Sequence, residues 1–193
     1  MIYIAFDTEF TGLKKDTTLV SIGLTTLDEK SQFYAEIEDY DRTYRDPWFI
    51  KNVEDNLLMK DLDGPMRVTH EDSVYVKGSK TYVANKLLSW FNSFEEEEIG
   101  LVTDVGHYDM VLFIDLFGGA FDLPKMIAPT YIDINQMIWE SHKGIPSLKD
   151  SFDVSREELL KGFHQELPSG AKHNSLYDAI VIARLYNAYR STY

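Results

Sequence analysis

Asp7 and Glu9 stand two apart in the run Phe6-Asp7-Thr8-Glu9. On a β-strand such residues face the same side, so both carboxylates would project together. Adjacent carboxylates repel unless a cation joins them, which suits a divalent metal. The pattern alone is weak. With 32 acidic residues in 193, roughly five acid-x-acid pairs arise from composition, and a solvated strand end fits equally well. His173 and Asp178 give a second spacing. Of the five histidines, only His173 has an acid five residues later. A histidine in a loop could reach a reacting group while the helix behind it fixes the carboxylate. The alternative is that Asp178 complements a helix N-terminus and His173 is ordinary surface. Asp109, in Val105-Gly106-His107-Tyr108-Asp109-Met110, opens a helix after a strand. Asp104 competes for that place.

Hydrolysis of a phosphodiester needs a nucleophile made from water, relief of charge on the phosphate and a stabilised leaving oxygen. A pair of divalent cations supplies all three. Mg²⁺ takes hard oxygen ligands, which suits four carboxylates in a chain without cysteine. A histidine of ordinary pKa, about 6.5, can accept a proton at neutral pH, and surrounding anions are expected to keep it basic.

The elements that must position these groups follow from pattern. Residues 1–6 alternate and are β-rich, predicting a strand that delivers Asp7 and Glu9 at its C-terminal end. Residues 19–27 and 31–37 predict two more strands, joined by a short turn into an antiparallel meander. Asp46-Pro47 predicts a helix start, with the helix running to about Leu58. Residues 60–78 have no helical period, and 74–76 suit a short strand or a flap. Ser79 caps a predicted helix to about Phe94, with Val83, Leu87, Leu88 and Phe91 inward. A strand over 99–105 leads to a helix over 107–117, stopped by Gly118-Gly119, with Val111, Leu112, Ile114 and Leu116 inward. A strand over 130–134 and a helix to about Glu140 follow. Ser155-Arg156-Glu157-Glu158 is a capping box. The last helix covers about 174–190. This order predicts an α/β fold with one central mixed sheet, in a single domain spanning residues 1–193.

Composition narrows the function. The net charge is −13, which argues against holding nucleic acid on a broad basic face but not against holding phosphate through metal ions. Having no cysteine excludes a disulfide framework, a Cys-ligated metal and a thiol nucleophile. No apolar run reaches the roughly 18 residues of a membrane span, and Met1–Asp7 does not read as a signal peptide. The expectation is a soluble, cytoplasmic protein without membrane contact.

Taken in chain order, Phe6-Asp7-Thr8-Glu9-Phe10-Thr11-Gly12-Leu13, Gly106-His107-Tyr108-Asp109 and His173-Asn174-Ser175-Leu176-Tyr177-Asp178-Ala179 resemble the DEDDh exonuclease superfamily of ribonuclease T, oligoribonuclease and proofreading exonucleases. The spread covers nearly the whole chain. Asp46-Pro47-Trp48 with Lys51-Asn52-Val53, Tyr108 to Val111 with Leu116-Phe117-Gly118, and Leu123-Pro124 with Pro129 are similar to the small polyadenylate-specific exoribonucleases, although this chain carries a longer segment between residues 55 and 80. The resemblance implies a ribonuclease H-like fold with a five-stranded mixed sheet flanked by helices. It implies 3′–5′ exoribonuclease activity on single-stranded RNA, or DNA, releasing nucleoside 5′-monophosphates, with an adenylate preference. It also implies two divalent cations, Mg²⁺ or Mn²⁺, held by Asp7, Glu9, Asp109 and Asp178. Asp7 would touch both, Asp109 would act through a water, and His173 would be the general base. Phe10 and Leu13 would pack against the terminal base, with His107, Trp48 and Phe49 as weaker candidates; core packing is the alternative for Phe10 and Leu13. Relatives are commonly homodimers, so a homodimer is expected. His70, His142 and His164 show no metal-ligand spacing.

Two other readings are weighed. Asp7-Thr8-Glu9-Phe10-Thr11 is similar to the Asp-x-Asp-x-Thr opening of haloacid-dehalogenase-like phosphatases, but Glu9 replaces the second Asp and the late paired acids are missing. A non-catalytic nucleic-acid-binding module would be expected to have lost one of the acids, and all four are present with the histidine.

Overall fold

A computed structural model describes residues 1–43, 45–96, 98–141 and 144–191. The first strand, β1 (Ile2–Phe10), carries the whole first motif. Its side chains divide between two cores. Ile4 and Phe6 enter one cluster, and Ala5, on the other face, enters a second. Both faces of β1 are therefore covered, and the strand lies in the middle of the sheet.

β2 (Leu19–Thr26) and β3 (Gln32–Ile37) continue antiparallel, as the meander predicts. β6 (Ile99–Thr103) runs parallel to β1, and β7 (Ile127–Asp133) runs parallel to β6. These five strands match the five expected. The sheet nevertheless has seven, because residues 66–78 add a hairpin, β4 (Met66–His70) and β5 (Ser73–Gly78), with β5 parallel to β3. The order is β4-β5-β3-β2-β1-β6-β7. β5 alternates half-buried and buried positions, whereas four of the five residues of β4 are exposed. A strand with no buried face leaves no apolar period to read.

One face of the sheet is covered by α2 (Lys80–Phe91) and α3 (Gly106–Phe117). Phe113 of α3 packs 5.4 Å from Phe6 and 6.3 Å from Phe91 of α2. Burying such a side chain contributes on the order of 1.5–3 kcal/mol. Asp109, Leu112, Phe113 and Leu116 face inward, and Val111, expected inside, is exposed. The other face is covered by α7 (Ser175–Arg190), with α4 (Ile134–Ser141) and α6 (Arg156–Gly162) packed beside it. Ser79, Ser155 and Asn174 each cap their helix through a side-chain oxygen.

Two helices depart from expectation. α1 (Pro47–Asn52) starts at its Asp46 cap but stops early, giving way to a 3₁₀ turn over Glu54–Asn56. The Asn52 and Asn56 side chains bond backbone carbonyls four residues back, a local competition that favours ending a helix. α5 (Leu148–Asp153), only six residues long, is too short to show a period. Among the described residues no helix is long and apolar enough to cross a membrane. His142, named above, lies outside the described residues.

Candidate active site

The site forms where β1 outruns its neighbour. β6 pairs with β1 only from Ile2 to Ala5, so the rest of β1 has an open side. The Ile2 amide donates to Glu98 O at 3.0 Å, so even-numbered amides of β1 face that side. The Thr8 amide, with no strand to meet, donates to Asp109 Oδ1 at 3.2 Å. Thr8 Oγ1 donates to the same oxygen at 2.5 Å, and Thr103 Oγ1 donates to Asp109 Oδ2 at 2.6 Å. Asp109 thus stands in for a strand partner, buried, at the carboxyl end of the central strands. Crevices at this end of open α/β sheets are where ligands bind.

The turn that delivers Asp109 is tight. Gly106 opens α3, and a Cβ there would lie 2.1 Å from the Tyr131 ring, so only glycine allows α3 to approach β7. Val105, just before it, has φ +59°, a left-handed conformation that costs a β-branched residue of order 1–3 kcal/mol. Asp104 is committed elsewhere. Arg156 donates to it from Nε at 2.6 Å and from Nη2 at 2.9 Å, and Asn135 Nδ2 also donates to it.

α7 brings the remaining groups. Its cap, Asn174, accepts from the Leu176 and Tyr177 amides at 3.2 Å each. Gly23 on β2 lets the helix start lie directly on the sheet, for a Cβ there would sit 2.3 Å from Leu176 N. Ser21 and Ser175 hydroxyls bond at 3.0 Å across the same contact. So seated, Asp178 accepts from the His173 amide at 2.8 Å. His173 has φ +63°. Its Nδ1 lies 3.8 Å from Glu9 Oε1, and its ring meets the Trp48 ring edge-on at 5.1 Å. One ligand atom each of Glu9, His173 and Asp178 lie within 4.8 Å of one another.

The electrostatics are those of a site short of positive charge. Burial, then the charges of Asp109, Asp178, Glu9 and Asp104, push the Asp7 carboxyl far up. Burial, then Asp178 and Asp109, raise Glu9. Burial raises Asp109 and Asp178 to about 7, against the threonine donors at the first and the His173 amide at the second. Arg156 is occupied by Asp104, and Lys172 only partly offsets the charge on Glu9 and Asp178. Buried carboxylates of this kind fit hard divalent cations, with Asp7, Glu9, Asp109 and Asp178 as the available donors. His173 departs from expectation. Burial and Lys172 hold its imidazole below the ordinary value, and among its neighbours Glu157 works in the opposite direction.

A cleft of about 410 Å³ opens over these groups. Asp7, Glu9, Asp109, His173 and Asp178 all line it, as do Phe10, Leu13 and Trp48. Leu13 is 72% exposed, which removes core packing as its role. Phe10 is half-buried and also packs on the core. His107 does not line the cleft; it is exposed, its ring 4.1 Å from Tyr108, and Tyr108 lines the cleft instead. Phe49 is buried against Val20 and Val53, while His70 and His164 are exposed. Sequence reasoning missed Thr8 and Thr103, which hold Asp109, Arg156, which removes Asp104, and Lys172 and Phe152 on the cleft wall. Thr8 alone left a signal, as the residue between the paired acids that must face the other way.

No family model matches the chain, and no curated protein sequence matches it. Solved structures do. The nuclease domain of 3′hExo, a DEDDh family member, solved bound to rAMP, is similar over 99% of this chain and 91% of that one, with 16% identity and a TM-score of 0.66. Cell-death related nuclease 4 (CRN-4) is similar over 99% of this chain and 64% of that one, with 13% identity and a TM-score of 0.66. The Neurospora crassa Pan2 catalytic unit, a protease and nuclease domain, is similar over 98% of this chain and 27% of that one, with 16% identity and a TM-score of 0.56. The chain therefore spans less than two thirds of the second and about a quarter of the third. In fold, this chain is an α/β protein of the ribonuclease H-like type found in DEDDh nuclease domains.

Proposed function

We propose that this chain is a metal-dependent 3′–5′ exoribonuclease, its single catalytic domain spanning residues 1–193, that releases nucleoside 5′-monophosphates and prefers adenylate. The observation that carries the reading is the convergence of four acids and His173, from β1, α3 and α7, on one cleft. When bound, the cations supply charge relief at the phosphate and activation of water. Asp7, Glu9, Asp109 and Asp178 would hold them, with Thr8 and Thr103 fixing the Asp109 carboxylate. His173 would take the proton of the attacking water at Nε2, because Nδ1 is turned toward Glu9. Its lowered basicity keeps it unprotonated, and so able to accept, at neutral pH. Leu13, Phe10, Tyr108 and Trp48 would give the terminal base an apolar seat, worth roughly 1–3 kcal/mol per stacked base. His107 would act only through its contact with Tyr108. The 3′hExo domain bound to rAMP supports a ribonucleotide end. A homodimer is part of the proposal.

The test is digestion of matched 5′-labelled oligo(A), oligo(U) and oligo(dA) with Mg²⁺ or Mn²⁺. Ladders that shorten from the 3′ end, fastest for oligo(A), and that vanish with EDTA or Asp7→Ala, are expected. Equal digestion of oligo(dA) would make it a general 3′–5′ exonuclease that also acts on DNA. Binding without cleavage would make it a non-catalytic module.

A further inference from the structure

The two edges of the sheet are finished differently. β7, at one edge, has Pro129 in its middle, and proline denies a further strand the N–H it would need. β4, at the other edge, reads Met66-Arg67-Val68-Thr69-His70. It has no proline and no lysine, and Val68 at its centre is 49% exposed. Nothing in its sequence blunts it.

Printed backbone bonds fix which groups of β4 are free. Asp72 O accepts from the Gln32 amide, and Gly78 O accepts from the Glu38 amide. Even-numbered groups of β5 therefore face β3, and Ser73, Tyr75 and Lys77 face β4. Their partners there are His70, Val68 and Met66. The N–H and C=O groups of Arg67 and Thr69 consequently point out of the sheet, toward no strand.

We propose that β4 pairs antiparallel with β4 of a second copy, about a two-fold axis through Val68, so that two sheets become one. The edge is complementary to itself. Arg67 of one copy then faces Thr69 of the other, using the four outward groups of each strand in about four N–H···O=C bonds. Val68 meets Val68 across the axis, and Met66 faces His70, so no like charges stand directly opposite. Glu71, in the hairpin turn, falls diagonally beside Arg67 of the other copy. Two arginines and two glutamates then form a neutral cluster around the axis, inside a chain whose net charge of −13 otherwise opposes self-association. Pro65, opposite Glu71 in this register, ends the ladder. The proposal is independent of the nuclease reading, because no cleft residue takes part.

The test is the molar mass by sedimentation equilibrium over a roughly hundredfold dilution series. Wild type is expected to reach twice the chain mass and to dissociate on dilution. Thr69→Pro removes an outward donor and leaves the β4–β5 bonds intact, so it is expected to stay at the chain mass with an unchanged circular-dichroism spectrum. Arg67→Glu is expected to weaken the dimer about tenfold, and adding Glu71→Arg to restore it. Wild type at the chain mass throughout would overturn the proposal. So would a folded Thr69→Pro that still dimerises. Should Thr69→Pro fail to fold, the charge pair decides, and an Arg67→Glu protein that dimerises like wild type would overturn the proposal.

Discussion

At the scale of single residues, Asp7 shows what the site lacks. Its carboxyl is raised by burial and by four neighbouring acids. A carboxyl raised in the folded state adds stability below its unfolded pKa, and that stability is lost as pH rises through the folded value. For Asp109 and Asp178 the window therefore runs from about 4 up to about 7. Above it, the metal-free protein carries unrelieved repulsion, and a dication relieves it. Asp7→Asn removes one of the charges. In EDTA at pH 8 it is expected to melt about 2–6 °C above wild type, with a much smaller difference at pH 5, and to lose most of the Tm gain that Mn²⁺ gives wild type. Calorimetric scans at the two pH values decide it. An Asn variant that melts below wild type at pH 8 in EDTA would show that the acids do not strain one another. The acids themselves were legible from spacing. The choice of Asp109 over Asp104 was not, because it depends on Arg156, 52 residues from Asp104 in the chain. The direction of the His173 shift was equally hidden, because it depends on burial rather than on the sign of neighbouring sequence.

At the scale of elements, the site depends on how closely α7 sits on β2. Gly23 permits that contact, and a methyl group there would press on the backbone of Ser175 and Leu176, which cannot rotate away. Gly23→Ala is expected to cost about 1–3 kcal/mol of stability, measured by urea unfolding. It is also expected to lower kcat on oligo(A) about tenfold or more at a temperature where the protein remains folded, because His173 and Asp178 move with the helix. Full activity in a destabilised Ala variant would show that the site tolerates a displaced α7. The helices with side-chain caps and a clear apolar face, such as α2 and α7, could be read directly from sequence. Those without were not. α5 is one short turn of helix, β4 buries no face, and α1 ends where asparagine side chains bond back to the backbone. Val111 was misplaced because apolar character at one position does not set helix phase. Asp109, Leu112 and Leu116 set it, and they turn Val111 to solvent.

At the scale of the whole molecule, a chain of net charge −13 must hold a polyanion without a basic surface. Among the described residues lining the cleft the cations are Arg156 and Lys172, and Arg156 is paired with Asp104. That leaves Lys172, whose backbone carbonyl is fixed by Asn56 Nδ2 at 3.0 Å, as the side chain able to meet a phosphate. Each phosphate contact on a single strand steepens the dependence of log affinity on log salt by about 0.7. One contact predicts a slope near −0.7, so between about 50 and 200 mM KCl, at fixed saturating Mg²⁺, KM for oligo(A) is expected to rise less than about threefold. A nuclease with six or more basic contacts would lose affinity by orders of magnitude over the same range. Lys172→Ala should flatten the slope toward zero, whereas Arg156→Ala should act through Asp104 and lower kcat instead. A steep wild-type slope would mean that basic side chains outside the cleft guide the strand. A slope unaffected by Lys172→Ala would leave the divalent cations as the chief hold on the substrate, which is the arrangement that so acidic a composition favours.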